Sequence, residues 1–102
     1  MSISTNMLKN SQAIAVSVTE ESLAIDLADG RTITVPLEWF PRLLHGNFTE
    51  RKNWKLIGNG AGVHWEDLDE DISVEGLLAG HHSEESQESF GKWLKKRSKT
   101  SV

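Results

Sequence analysis

Ala13-Ile-Ala-Val-Ser-Val-Thr-Glu-Glu-Ser-Leu-Ala-Ile-Asp-Leu-Ala-Asp-Gly-Arg-Thr-Ile-Thr-Val35 is the stretch that decides the fold. Its first run sets Ala13 and Ala15 against the larger Ile14, Val16 and Val18. Its second alternates Leu23, Ile25 and Leu27 with Ala24, Asp26 and Ala28, and its third turns Ile33 and Val35 inward. A period of two over several residues marks half-buried strands. Glu20-Glu21 joins the first pair. Asp29-Gly30 joins the second as a two-residue connection favouring a type I′ turn, since glycine takes positive φ at little cost. The stretch predicts a three-stranded antiparallel meander from about Ile14 to Val35.

Downstream, Pro36 has no N–H for a ladder and ends the third strand. Pro41 suits the first turn of a short helix through Arg42-Leu43-Leu44, stopped by Gly46-Asn47. Thr49 is read as the N-cap of a helix from Glu50 to Ile57, and Gly58-Asn-Gly-Ala-Gly62 closes it. Val63-His64-Trp65 reads as a short fourth strand added to the meander. Ser73 caps a helix over residues 74–79, with Ile72 and Leu77 as its hydrophobic staple and Gly80 as its stop. Phe90, Trp93, Leu94 and Arg97 recur at helical spacing, giving a C-terminal amphipathic helix in which Glu88 and Lys92 form an i,i+4 pair. The expected class is α+β: a flexible leader over residues 1–12, a core domain over 13–80, and a connector with the C-terminal helix of the same domain over 81–102.

The bulk properties limit function. A chain of 102 residues supports one core. The absence of cysteine removes disulfides, thiolate metal sites and a thiol nucleophile. Neither a signal peptide nor a run of about 20 apolar residues is present, so a cytoplasmic protein without membrane contact is expected. The net charge of -4 disfavours bulk nucleic-acid binding, yet the charge is divided. Between Leu56 and Gly91 lie nine carboxylates and no lysine or arginine, followed by Lys92, Lys95, Lys96, Arg97 and Lys99.

Several motifs are candidate sites, each with a plainer alternative. Asp67, Asp69 and Asp71 have the first spacings of a calcium loop, but Ile72 stands where glycine is needed and Leu78 where the bidentate glutamate belongs. His64 and Asp69 could meet across a turn as a metal-dependent centre, although one histidine among scattered acids is a weak ligand set. The bland reading makes the acids the lip of the helix starting at residue 74. The Gly-rich loop lacks the flanks of a phosphate cradle, and no nucleophile elbow exists, so no enzyme activity, catalytic residue, metal or cofactor is assigned. Lys95, Lys96 and Arg97, beside Trp93, are the nucleic-acid candidates. Trp39 and Phe40 are candidate partner contacts if their rings stay uncovered, joined by His64, Asp69 and Glu70 on the acidic surface.

These residues also accumulate into a resemblance. Asp29-Gly-Arg31, Val35-Pro-Leu-Glu-Trp-Phe-Pro-Arg-Leu43, Asn53-Trp54, Ile57-Gly-Asn-Gly60, His64-Trp65 and Leu68-Asp-Glu-Asp-Ile-Ser-Val-Glu-Gly-Leu-Leu78 resemble, in order and spacing, the bacterial family catalogued as domain of unknown function 2442. The likeness runs from about Ala13 to Gly80, and Gln87-x-Ser-Phe-x-x-Trp-Leu94 is similar to a tail that many members carry. The chain departs from the pattern at His45-Gly-Asn-Phe-Thr49 and at Glu66. The resemblance implies a small α+β protein, alone or fused to a helix-turn-helix domain, and often encoded beside another small protein in pairs that look like toxin-antitoxin modules. It brings no catalytic residues. The expectation is a non-enzymatic interaction or regulatory module, the antitoxin-like member of such a pair, binding a protein encoded nearby and leaving homo-oligomerisation open. The alternatives are a nucleic-acid-associated regulator acting through the basic C-terminal helix and a metal-dependent activity at His64 and Asp69.

Overall fold

Alternation along the second run buries Leu23, Ile25 and Leu27 almost completely, and this strand is the centre of the first sheet. The computed structural model describes residues 11–100, with side chains to residue 97. Strands β1 (Ala13–Val18), β2 (Ser22–Leu27) and β3 (Thr32–Pro36) form the expected antiparallel meander, with Leu23 opposite both Val18 and Val35. A bulge separates the pairs Ala13–Leu27 and Ala15–Asp26, so Ala13 faces the core and Ile14 is left 59% exposed. The small-large alternation of β1 is thus broken by one extra residue.

Both connections follow side-chain chemistry. At the first, the Thr19 hydroxyl accepts from the N–H groups of Glu21 and Ser22. The second differs from the expected type I′ turn. Gly30 N–H donates to Leu27 O at 3.0 Å and Leu27 N–H to Arg31 O at 2.8 Å, leaving a three-residue loop with positive φ only at Gly30. Asp29 avoids the positive φ that type I′ demands because its carboxylate instead accepts Arg31 N–H at 3.0 Å and Arg31 Nε at 2.7 Å.

A 3-10 turn over Leu37–Trp39 leads into helix α1 (Pro41–Leu44), with Pro41 at its first position. The next helix, α2, runs only over Phe48–Lys52 and is capped by Asn47, not Thr49. Asn47 Oδ1 accepts Glu50 N–H at 2.8 Å while Glu50 Oε1 accepts Asn47 N–H at 2.9 Å, a complete capping box. The second half of the expected helix is strand β4 (Trp54–Ile57). It pairs antiparallel with β5 (Gly62–Trp65), which pairs with β6 (Glu70–Ser73). The short strand at residues 62–65 is therefore present, but as the middle of a second three-stranded sheet and not as an addition to the first. The acidic stretch is not a helix lip either. Glu66–Leu68 is a 3-10 turn, Asp69 takes a left-handed conformation at φ 50°, and Glu70 enters β6.

Helix α3 (Val74–Leu78) matches expectation: Ser73 Oγ accepts Gly76 N–H, Ile72 and Leu77 are both buried, and Gly80 follows at φ 80°. Helix α4 (Gln87–Thr100) carries the anticipated half-buried stripe and the Glu88–Lys92 pair at 3.5 Å. One core joins the sheets, with Leu23, Ile25 and Val35 of the first, Val63, Trp65 and Ile72 of the second, and Leu37, Phe40, Leu43 and Leu68 between. The Trp65 indole N–H satisfies its polar edge on Arg51 O at 3.0 Å. Gly60 lets the β4–β5 hairpin meet the start of β1, where a Cβ would come within 2.6 Å of Ala13 O. Most of the expected leader, residues 1–10, lies outside the described residues, but Gln12 O accepts Ala28 N–H at 2.8 Å. Among the described residues no helix is long and apolar enough to cross a membrane.

The two candidate caps of α2 differ in consequence. Asn47→Ala should cost about 1 kcal/mol by urea unfolding, whereas Thr49→Ala, at an exposed position with no capping bond, should stay within about 0.5 kcal/mol of the parent.

Candidate functional site

Pro41 starts α1 so that the next side chain, Arg42, enters the space between the second sheet and the connector. There the guanidinium, 15% exposed, meets several acceptors at once. Nη1 donates to Leu68 O at 3.3 Å and Asp69 O at 3.2 Å, Nε donates to Glu85 Oε1 at 2.9 Å, and Nη2 bonds the other Glu85 oxygen. Its flat face lies 5.2 Å from the Trp93 ring. This ion pair raises the Arg42 pKa and lowers that of Glu85, whose carboxylate also accepts from Ser89 Oγ at 2.7 Å. Charge-assisted bidentate pairing of this kind fixes orientation as well as energy.

Beside Arg42 opens a cleft of about 440 Å³. Phe40, Ile72 and Leu77 form its apolar part, the connector around His82 and Glu84 its far wall, and Asp69, Glu70 and Asp71 its acidic side. Ser83 N–H donates to Trp39 O at 3.0 Å and the Trp39 and His82 rings lie 5.4 Å apart, so the connector is anchored at both Trp39 and Arg42. Within the cleft Glu70 is the carboxyl whose pKa burial raises. It shares the core side of β6 with Ile72, and burial pushes its carboxyl up to about 7 against the opposing pull of Arg42 and of the Asp71 N–H. Among the described residues no cation forms an ion pair with it.

The candidate residues separate into distinct environments. Asp69 and Glu70 line the cleft, with Asp69 88% exposed and 3.7 Å from Arg42 Nη1. Phe40 is buried at 5% exposure and shapes the cleft from beneath, whereas Trp39 is half-buried against His82. His64 is on the solvent side of the second sheet and does not meet Asp69. Its ring nitrogens contact Asp71, its cross-strand neighbour, and Glu66 at 2.8 Å, and these acids raise its pKa, Asp71 most. The two ring nitrogens point to different carboxylates, so the donors do not converge. Among the described residues no group of three or more histidine and acidic side chains could hold a metal ion.

Of the basic candidates, Lys95 and Lys96 are exposed on α4, and Lys96 borders a second groove with Asp69 and Trp93. Arg97 is turned inward. Its guanidinium spans both Glu50 oxygens at 2.8 and 2.9 Å and lies 4.8 Å from the Trp93 ring centre, lowering the Glu50 pKa. Trp93 also stacks on Phe90 at 5.6 Å, so its ring is engaged by Phe90, Arg42 and Arg97 rather than offered to a base. Lys99 has its side chain outside the described residues. Arg42 and Glu85 escaped the reading of single motifs because 43 positions separate them. The available signal was an arginine inside an otherwise apolar run, Trp39-Phe-Pro-Arg-Leu-Leu44.

Titration should register both perturbed groups. Carboxyl carbon shifts of Glu70 should titrate near 7, and since its folded pKa exceeds the unfolded value, stability should fall as pH rises from about 4.5 through 7, a decline that Glu70→Gln should flatten. His64 also has a raised folded pKa, so its stabilising pair is fully present below about 6.5 and is lost as pH passes the raised value. Asp71→Asn should move the imidazole titration, followed by proton resonance, back down.

A family model described as "Protein of unknown function (DUF2442)" matches residues 13–83, which span both sheets, α3 and the near wall of the cleft. No curated protein matches the chain. Among solved structures, a protein of unknown function from Rhodospirillum rubrum is similar at TM-score 0.63 and 27% identity, over 74% of this chain and 94% of that one. An uncharacterised protein from Chromobacterium violaceum is similar at TM-score 0.65 and 21% identity, over 94% and 84% of the two chains, a likeness of fold.

Proposed function

The chain belongs to the DUF2442 family of proteins of unknown function, and we propose that it acts as a non-enzymatic interaction module whose cleft receives a basic segment of a protein partner. The observation that carries this reading is the internal use of Arg42. Its hydrogen bonds are committed to Glu85 and to two backbone carbonyls and its charge pairs with Asp69 at 3.7 Å, so one engaged cation stands against Asp69, Glu84 and, where it ionises, Glu70. A cleft in which one sign of charge predominates concentrates the opposite sign and steers its approach.

The antitoxin-like role belongs to this same proposal and is supported by the family resemblance alone. It directs the first choice of partner to a small protein encoded beside this one.

Co-expression and gel filtration with that neighbouring product should give a complex at micromolar concentration. Raising salt from about 0.05 to 0.5 M should weaken it at least tenfold, because screening acts on exposed charges. Asp69→Asn with Glu84→Gln should weaken it comparably without changing Tm. An absent complex, or one indifferent to salt and to both substitutions, would overturn the proposal.

A further inference from the structure

The cleft has one boundary that its acidity does not explain, the outer edge of β6. Val74 N–H donates to Ala61 O at 2.9 Å, so residues 61 and 74 are a hydrogen-bonded pair, and in an antiparallel ladder such pairs recur at every second position. Val63–Ile72 and Trp65–Glu70 then exchange their backbone bonds with each other. The N–H and C=O of Asp71 and the N–H of Ser73 point away from β5, and of these the Asp71 N–H also acts on the Glu70 carboxyl of its own strand. β6 is the last strand of its sheet, and among the described residues no backbone bond from another segment reaches these groups. The cleft lies along this edge, with the connector as its far wall.

We propose that this edge takes an extended basic segment of the partner as a fourth strand of the second sheet. The inference rests on the binding reading above and adds to it the mode of attachment. Main-chain hydrogen bonds to Asp71 and Ser73 would supply register, and alternate side chains of the incoming strand would turn toward Glu70 and Asp69. Charge on an edge strand ordinarily keeps other strands away. Here Asp69 and Asp71 are of one sign, and Glu70 adds to them as it ionises, so the edge discourages acidic strands and admits a cationic one. Other edges are less suited: β1 is interrupted by the bulge at Ile14, β3 ends in Pro36, and β4 lies against β1. The cleft volume of about 440 Å³ also falls within the range of sites that enclose a ligand.

A fluorescent eight-residue peptide alternating lysine and valine, and the same peptide fully N-methylated, provide the probes. With the full-length protein, the plain peptide should bind and slow amide exchange at Asp71 and Ser73 by about tenfold or more, while the methylated peptide, having no backbone N–H donors, should bind at least tenfold more weakly. Asp71→Pro removes an outward donor at a position where an edge strand tolerates proline, and Asp71→Asn removes the same charge and the same pair with His64 but keeps the donor; with circular dichroism retained in both, only Asp71→Pro should fall to the methylated level of plain-peptide affinity. Equal affinity for the two peptides would overturn strand addition while leaving a charge-driven partner site intact. So would exchange protection absent from Asp71 and Ser73, or a plain peptide that does not bind. The complex with the neighbouring gene product is judged separately by its salt response.

Discussion

The interaction on which the rest of the molecule depends is the enclosure of the Arg42 guanidinium. A cation this poorly exposed is tolerable only when its donors are satisfied, and each acceptor it finds belongs to a different part of the chain. Leu68 O and Asp69 O come from the turn before β6, Glu85 from the connector, and the Trp93 face from α4. Arg42 itself is fixed by Pro41 and by α1, between two core residues, Phe40 and Leu43. A lysine could not reproduce this arrangement, because a single ammonium lacks the planar fork that reaches two carbonyls and both carboxylate oxygens together. With the anchor of the connector on Trp39, this side chain sets the position of β6 relative to the connector, and hence the cleft.

A second clamp repeats the logic at the other end of α4. Arg97 and Glu50 pair across 47 positions, and Glu50 serves at the same time as the reciprocal member of the α2 capping box. Trp93 lies close to both guanidinium groups. The C-terminal helix and the connector before it thus dock through a half-buried aromatic ring and one arginine-carboxylate pair each instead of through a continuous apolar face. Pairs of this type contribute more to orientation than to net stability, since much of their Coulomb energy offsets the loss of hydration. Their pH response opposes that of the cleft. Glu50 and Glu85 have lowered pKa values, so their contribution is present above the unfolded carboxylate pKa and is lost as pH falls, whereas Glu70 and His64, both raised, favour the folded state more at lower pH.

The first sheet was legible because its three runs alternate over five or six residues and its turns carry local chemistry. The second was not, and Trp54-Lys-Leu-Ile57 shows why. Four residues following a helical segment fit helical and extended periods equally well, and the decision came from pairing with Gly62–Trp65, which no local pattern contains. Asn47 is half of an Asn-x-x-Glu box, but after Gly46 it reads equally as a helix stop, and Thr49 beside Glu50 has the same local signature of a cap. In the acidic run the alternation of Glu70 and Ile72 against Asp71 and Ser73 was present, hidden by the density of charge. The departure from the family pattern at Glu66 found a local use as a partner of His64. Among candidate site residues, Asp69 and Glu70 were placed together by one turn of chain, but Arg42 and Glu85 required the tertiary fold.

The reason Glu70 stays unpaired beside an arginine follows from the same geometry. Arg42 is drawn toward Glu85 by bidentate contact and toward the carbonyls at the end of the 3-10 turn, which leaves no donor directed at the core side of β6. Glu70 cannot turn to solvent as Asp71 does, since alternation along the strand assigns it to the face shared with Ile72. Strand register therefore holds a carboxyl where burial disfavours its charge, and the arginine that could relieve it is used to hold the connector in place. A cationic group entering the cleft would find there a carboxyl whose ionisation becomes less costly on binding, so that occupancy and proton release at Glu70 are coupled by linkage.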